Sequence, residues 1–353
     1  MQSVTIGNNQ AGQRLDKFLK KYLPEAGSSF LYKMLRKKNI TLNGKKAEGK
    51  EMLSVGDNVS FFFSDETFAK FTGRPLTSEG TSSSGKQQND AGHLKRHINT
   101  EYKTAYQKLK GITVLYEDED VLIVNKLVGI LTQKAAPEDI SLNEWLIGYL
   151  LATNAITEEE LHSFHPSVCN RLDRNTSGIV LCGKSLAGSQ LLSRMIKERS
   201  IGKFYRTICV GRLEKGEMLE GYLVKNSGTN KVEITLNSGN NHVKDDGAYI
   251  KTAYRPIEKT KDYTLLEVEL ITGKTHQIRA HLASIGHPII GDYKYGNKGI
   301  NNHLQKEFSL KNQLLHAYRI EFPKDDSLPV SLQGRVVTAP YPKFFEKLLK
   351  ELF

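Results

Sequence analysis

Hydrophobic residues recur at helical spacing near the start of the chain, where Leu15, Phe18, Leu19, Tyr22 and Leu23 predict a short amphipathic helix. In a second helix Leu31, Met34 and Leu35 face a core, Lys33, Arg36, Lys37 and Lys38 stay outside, and Ser28 or Ser29 can cap the start. Ile40, Thr41 and Leu42, an Asn43-Gly44 turn and a Lys45-Lys46 return predict a hairpin, and a last strand runs from Asn58 to Phe63. The pattern then lapses. The stretch from Thr81 to Asp90 is polar and small, with nothing to bury, so residues 64–110 predict a flexible linker whose tail is basic. Strand-like runs at 112–116 and 121–124 flank the acidic turn 117–120. A run from Gly178 to Cys182 predicts a buried strand feeding a helix from Ser185 to Arg199, with Leu186, Leu191, Met195 and Ile196 on its core face. Alternation puts Phe204, Arg206, Ile208 and Val210 on one face of a strand and Tyr205, Thr207 and Cys209 on the other, so Tyr205 points to a cleft. Ile278, Leu282 and Ile285 form a helical stripe ended by Gly286, with Arg279 on its flank, and Phe344, Leu348, Leu349 and Leu352 predict a closing helix.

These segments divide the chain into a small α+β unit (1–63), a linker (64–110) and a larger α+β unit (111–353). With 353 residues and 39% hydrophobic content, more than one core is affordable. The net charge of +11 points to a polyanionic partner, because clustered Lys and Arg attract phosphate and release its counterions. Residues 1–63 concentrate that charge, with eleven Lys plus Arg against five Asp plus Glu. Cysteines at 169, 182 and 209 lack metal-ligand spacing and read as reduced thiols of a cytoplasmic protein. No apolar run reaches the roughly 18 residues that a membrane helix needs.

Two stretches mimic phosphate-binding loops. The first, from Gly80, lies in the linker and lacks the terminal Ser or Thr; the second, from Gly178 to Ser185, matches in full, but its four middle residues predict a buried strand whose amides cannot cradle phosphate. Asp173 is a stronger chemical candidate. It stands on a loop between Arg171 and Arg174, whose guanidinium groups favour its ionised form and leave an oxygen free to attack an electrophile. A structural Asp-Arg pair is the plainer reading of that local sequence.

Three ordered motifs sharpen the choice. Asn170-Arg171-Leu172-Asp173-Arg174-Asn175-Thr176-Ser177-Gly178 resembles the HRLDxxTSG signature of the pseudouridine synthase family, with Asn170 where His is usual. Lys203-Phe204-Tyr205-Arg206 resembles its second motif, and the stretch from Thr272 to Leu282 resembles its TGRxHQIRxH motif, with Lys274 in place of Arg. Lys126 opens a segment similar to the family's NKPxG, with Leu127 in place of Pro. The first 63 residues resemble an S4 RNA-binding domain, a plan similar to that of the family's large-subunit ribosomal RNA enzymes.

The resemblance implies a catalytic domain of mixed, mainly antiparallel sheet with flanking helices. It implies Asp173 as nucleophile, Tyr205 for stacking on the uracil and handling the carbon 5 proton, and Arg279 as the partner of Asp173. It also implies RNA contacts at Arg14, Arg36, Lys37, Lys38, Arg171, Arg174 and Lys274. His276 and His281 are left as structural histidines. The reaction needs no metal, redox or nucleotide cofactor; the expected partner is ribosomal RNA (23S) or a pre-ribosomal particle, the expected state a monomer. A transfer RNA substrate, and a noncatalytic RNA-binding or ribosome-assembly factor, are the alternative readings.

Overall fold

The computed structural model describes residues 2–73, 100–225, 232–236 and 247–353. Its first unit builds a four-stranded antiparallel sheet from β1 (Gln2–Thr5), β2 (Ile40–Leu42), β3 (Lys45–Lys46) and β4 (Asn58–Phe61), in the order β1-β4-β2-β3. Helices α1 (Leu15–Tyr22) and α2 (Ser28–Arg36) lay Leu15, Phe18, Leu19, Leu31 and Leu35 against it as a separate core. Strand β1 has no sequence signal, since Gln2–Thr5 is largely exposed and earns its place through the β4 ladder. At α2 the cap is Gly27, and Ser28 is already helical, so neither serine serves as the expected cap.

The segment expected as linker is ordered at both ends. Helix α3 (Asp65–Thr72) is capped by the Ser64 hydroxyl, which accepts from the Thr67 amide at 3.3 Å, and packs Phe68 and Phe71 on the first core. Residues 100–108 form helix α4, which buries Ala105 and packs Tyr106 on the second unit. The polar stretch 81–90, with Lys95 and Arg96, lies outside the described residues.

The second unit is organised by one sheet. Its strands are β5 (Thr113–Glu117), β6 (Val121–Lys126), β7 (Ser167–Val168), β8 (Ser177–Gly183), β9 (Gly202–Val210), β10 (Glu217–Lys225), β11 (Val232–Leu236), β12 (Ala248–Lys259), β13 (Tyr263–Leu270), β14 (Leu315–Glu321) and β15 (Val336–Thr338). They run β11-β10-β12-β13-β9-β14-β8-β6-β5, with β7 beside β8 and β15 beside β14. Among the described strands only β8 and β14 pair in parallel, so the sheet is mixed and mainly antiparallel. The helices are α5 (Leu142–Ala152), α6 (Leu186–Glu198), α7 (Gln277–Ser284), α8 (Lys298–Phe308) and α9 (Lys343–Leu352). Helix α5 starts at a capping box of Ser141 and Glu144. Its Gly148 lets α4 approach, since a Cβ there would stand 2.2 Å from the Tyr102 carbonyl oxygen.

Two predicted faces hold in part: Met195 and Leu348 are buried, and Leu186, Leu191, Ile196, Leu349 and Leu352 pack half-buried against the cores. Gly188, Leu192 and Met195 are the buried residues of α6, because its first turn presses on the Asp120 carbonyl, 2.0 Å from where a Cβ of Gly188 would be. In α9, Phe345 rather than Phe344 is buried, packed on Tyr341 at 4.8 Å between ring centres. The Gly178-Cys182 run is the centre of β8, buried throughout, which removes its amides from any phosphate-loop role. The two units touch: Asn9 donates to Glu160 at 3.0 Å, Gln10 to the Ser163 hydroxyl at 2.7 Å, and Gln190 to the Gly12 carbonyl at 3.3 Å. Among the described residues, no helix is long and apolar enough to cross a membrane.

Candidate active site

Where β8 and β14 pair in parallel, the loop that enters β8 stands over the sheet and carries Asp173. Gly178 makes that pairing possible. Its φ is +111°, and a Cβ there would lie 2.2 Å from the Ala317 carbonyl oxygen, so the Gly of the first motif is a packing requirement. Asn170 accepts from the Leu181 amide at 2.7 Å, so the residue that departs from the motif's His ties the loop to β8.

Lys126, at the end of β6, holds the loop from below. It is fully buried, and its amine donates to the carbonyls of Ile130 (2.9 Å), Leu127 (3.1 Å), Arg174 (3.3 Å) and Asp173 (3.4 Å). Burial pushes it down to about 7, against the pull of the Asp173 carboxylate. Thr132 clasps the same loop: its hydroxyl donates to the Leu172 carbonyl at 2.8 Å and accepts from the Leu172 amide at 3.1 Å. These bonds immobilise the 127–132 turn even with Leu127 in the proline position.

The carboxylate meets Arg279. From α7, Arg279 Nη1 donates to Asp173 Oδ2 at 2.9 Å, and the rest of the guanidinium is held in a fork by Asp292, Nε to Oδ2 at 2.7 Å and Nη2 to Oδ1 at 2.9 Å. Burial disfavours the Asp292 anion, yet the Arg279 bonds and the amides of Lys294 and Tyr295 hold its carboxyl below the usual range. Arg279 in turn stays above its ordinary value despite burial, through Asp292 first and Asp173 second. Arg279 thus meets Asp173 as the resemblance implies, and, bonded to two carboxylates, it is 7% exposed. The neighbours expected to hold Asp173 do not perform that task. Arg171 and Arg174 are exposed, and Arg174 approaches Asp139 at 3.9 Å, because adjacent side chains on a turning loop diverge.

His276 and Tyr295 complete the group. His276 Nε2 lies 3.8 Å from Asp173 Oδ2, its Nδ1 lies 3.0 Å from the Tyr295 hydroxyl, and the Arg279 guanidinium sits over the Tyr295 ring at 5.2 Å. Gln277 fixes the turn before α7, bonding Thr272, the Lys274 amide, the Lys251 carbonyl and Thr252. His281, by contrast, is buried against the Thr252 hydroxyl at 2.8 Å and is structural.

These side chains open on a cavity of about 620 Å³ that Asp173, Tyr205, His276 and Arg279 line together, with Arg171, Arg174 and Lys274 around it. Tyr205 is buried on β9, and burial, reinforced by Asp173, pushes its phenol well above the ordinary value. Arg14, Arg36, Lys37 and Lys38 lie on the first unit, away from this cavity. Arg36, Lys37 and Lys38 are exposed at the end of α2, whereas Arg14 is engaged by Asp16 through two bonds of 3.1 Å.

Sequence reasoning did not single out Asp292, Tyr295 or the role of Lys126. Asp292 follows Gly291, whose φ is +74°, but nothing in that turn names its partner thirteen residues earlier. Beside the motif that Lys126 opens, the apolar run ending there was a signal, since it forecasts burial of the lysine that closes it.

Comparison with known proteins places this geometry. The RNA pseudouridylate synthase family model matches residues 120–284. Ribosomal large subunit pseudouridine synthase C of Vibrio vulnificus is 27% identical over 360 residues, covering 100% of this chain and 96% of the relative. The corresponding synthase C of Haemophilus ducreyi is 28% identical over 358 residues (100% and 96%), and synthase D of Nitrosomonas europaea 25% over 350 residues (99% and 87%). The structure of human RNA Pseudouridylate Synthase Domain Containing 4 shares the fold, with a TM-score of 0.56 at 19% identity over 73% of this chain and 97% of that one.

Proposed function

Since residues 120–284 form an RNA pseudouridylate synthase domain, we propose that this chain isomerises uridines of large-subunit ribosomal RNA to pseudouridine, with Asp173 as the nucleophile. The isomerisation breaks the bond between sugar carbon 1′ and base N1, joins carbon 1′ to carbon 5, releases the carbon 5 proton and returns a proton to N1. Asp173 supplies the attacking oxygen, at base carbon 6 or sugar carbon 1′, and Arg279 orients the carboxylate. Its geometry carries the reading: a carboxylate at the edge of an open cavity, held at 2.9 Å by a guanidinium that a second, buried carboxylate clamps.

Tyr205 lies against the base. Its phenol is held protonated by burial, which supports stacking rather than service as the base that removes the carbon 5 proton. Arg171, Arg174 and Lys274 contact phosphates around the flipped nucleotide, offsetting the few kcal/mol that extracting a base costs. The first unit, with its four-stranded sheet and basic α2, is the S4-like RNA-binding module, and Arg36, Lys37 and Lys38 are its phosphate contacts.

Tritium release from ribosomal RNA labelled at uridine carbon 5 tests this reading. The native protein releases tritium and Asp173→Asn does not, while both bind the RNA. Intact binding with no release by the native protein on unmodified ribosomal RNA would replace the enzyme by a noncatalytic RNA-binding factor.

A further inference from the structure

His276 occupies a position that its place in the chain does not explain. It is the residue before α7, yet its side chain caps nothing, and its φ of +58° puts a non-glycine residue in the left-handed region. Such a conformation is disfavoured for a non-glycine residue and persists where surrounding bonds enforce it. Here it turns the imidazole back toward Asp173.

A chain of hydrogen bonds runs from β11 to the imidazole. The Val232 amide of β11 donates to the Tyr295 hydroxyl oxygen at 3.0 Å. With one lone pair engaged by that amide, the hydroxyl has its proton available for its other neighbour, His276 Nδ1, also at 3.0 Å. With Nδ1 accepting that proton, the neutral ring carries its own on Nε2, the nitrogen 3.8 Å from Asp173 Oδ2.

Resting on the uridine reading of this cavity, we propose that His276 is a positioning residue of the reaction. As the Nε2–H tautomer it presents a donor to Asp173 Oδ2, beside the bond from Arg279, so that Oδ1 is the oxygen that attacks. The 3.8 Å separation closes to a hydrogen bond when the substrate enters, as donor contacts in empty sites commonly do. The network also ties the orientation of the nucleophile to β11, through Tyr295.

The charges facing the ring come from three places: Asp173 on the loop before β8, Arg279 on α7, and Asp292 with Lys294 on the following turn. Burial, with Arg279 and Lys294, lowers its pKa from the ordinary value, against Asp173 and Asp292, so the ring is neutral at pH 7.

Two measurements on the full chain test the assignment. In ¹⁵N-labelled native protein at pH 7, the His276 resonances, identified by their loss in His276→Asn, show a protonated Nε2 and an unprotonated Nδ1; in Tyr295→Phe that preference is lost. In tritium release, His276→Gln places an amide N–H near Nε2 and keeps kcat within about threefold, whereas His276→Asn cannot reach and loses tenfold to hundredfold in kcat with KM unchanged. An Nδ1–H or doubly protonated ring, or a Gln variant as slow as Asn, overturns the assignment. A native protein that binds ribosomal RNA but turns nothing over overturns the site reading itself, and the kinetic role with it, whatever the tautomer; an active protein with the wrong tautomer removes only His276.

Discussion

At the scale of single residues, the site is built by burying charge that the rest of the chain then satisfies. Lys126 shows how this couples to pH. Its amine titrates near 7 in the folded protein against an ordinary 10.5, so between those values the unfolded chain holds a proton that the folded chain has released. This group therefore adds stability as pH rises through that window. Denaturant titrations of the native protein and Lys126→Met at pH 7 and pH 9 should diverge in favour of the native protein by about 2 kcal/mol; parallel behaviour would mean that the amine keeps its proton on its four carbonyls. Asp173, Tyr205 and Arg279 were legible in the sequence because each sits in a motif of fixed order. Asp292 was not, since a buried carboxylate is defined by its partner in space, and that partner lies on another element.

At the scale of elements, periodicity located about half of the described helices and strands, and not every residue of their buried faces. Gly188 of α6 and Gly148 of α5 are core contacts by close approach, a property that a hydrophobicity pattern cannot register because it counts them as small and neutral. The same holds for β8 and β14. Their parallel pairing rests on Gly178 and is braced by the Ser177 hydroxyl, 2.8 Å from Nδ1 of the buried His316. Gly178→Ala should cost about 3 kcal/mol or more, combining a forced left-handed φ with a clash against the Ala317 carbonyl. Because the loop bearing Asp173 enters β8 five residues earlier, tritium release should fall with it. Urea unfolding is the check, and a midpoint unchanged from the native protein would mean that β14 yields freely and the glycine is dispensable.

At the scale of the whole molecule, two sheets and one excess of positive charge frame the proposed hold on RNA. The shift in composition after residue 63 signalled a joining segment, but not its edges. Residues 65–72 are mostly polar, and the Ser64 cap together with the packing of Phe68 and Phe71 onto the first core makes them a helix. The proposed division of labour separates by salt. Arg36, Lys37 and Lys38 lie exposed at the end of α2 in a different unit from the cavity, so their contribution is to phosphate binding and not to the chemistry. Replacing all three by Ala should weaken ribosomal RNA binding without changing sequence preference. It should also reduce the slope of log binding constant against log salt by about two to three, roughly one per lost phosphate contact. Saturating the variant with RNA should restore single-turnover tritium release to the native rate, because Asp173, Arg279 and Asp292 are untouched. A salt slope equal to the native one would place the phosphate contacts elsewhere, and a slow reaction at saturation would mean that the first unit also shapes the active cavity through its Asn9, Gln10 and Gly12 contacts.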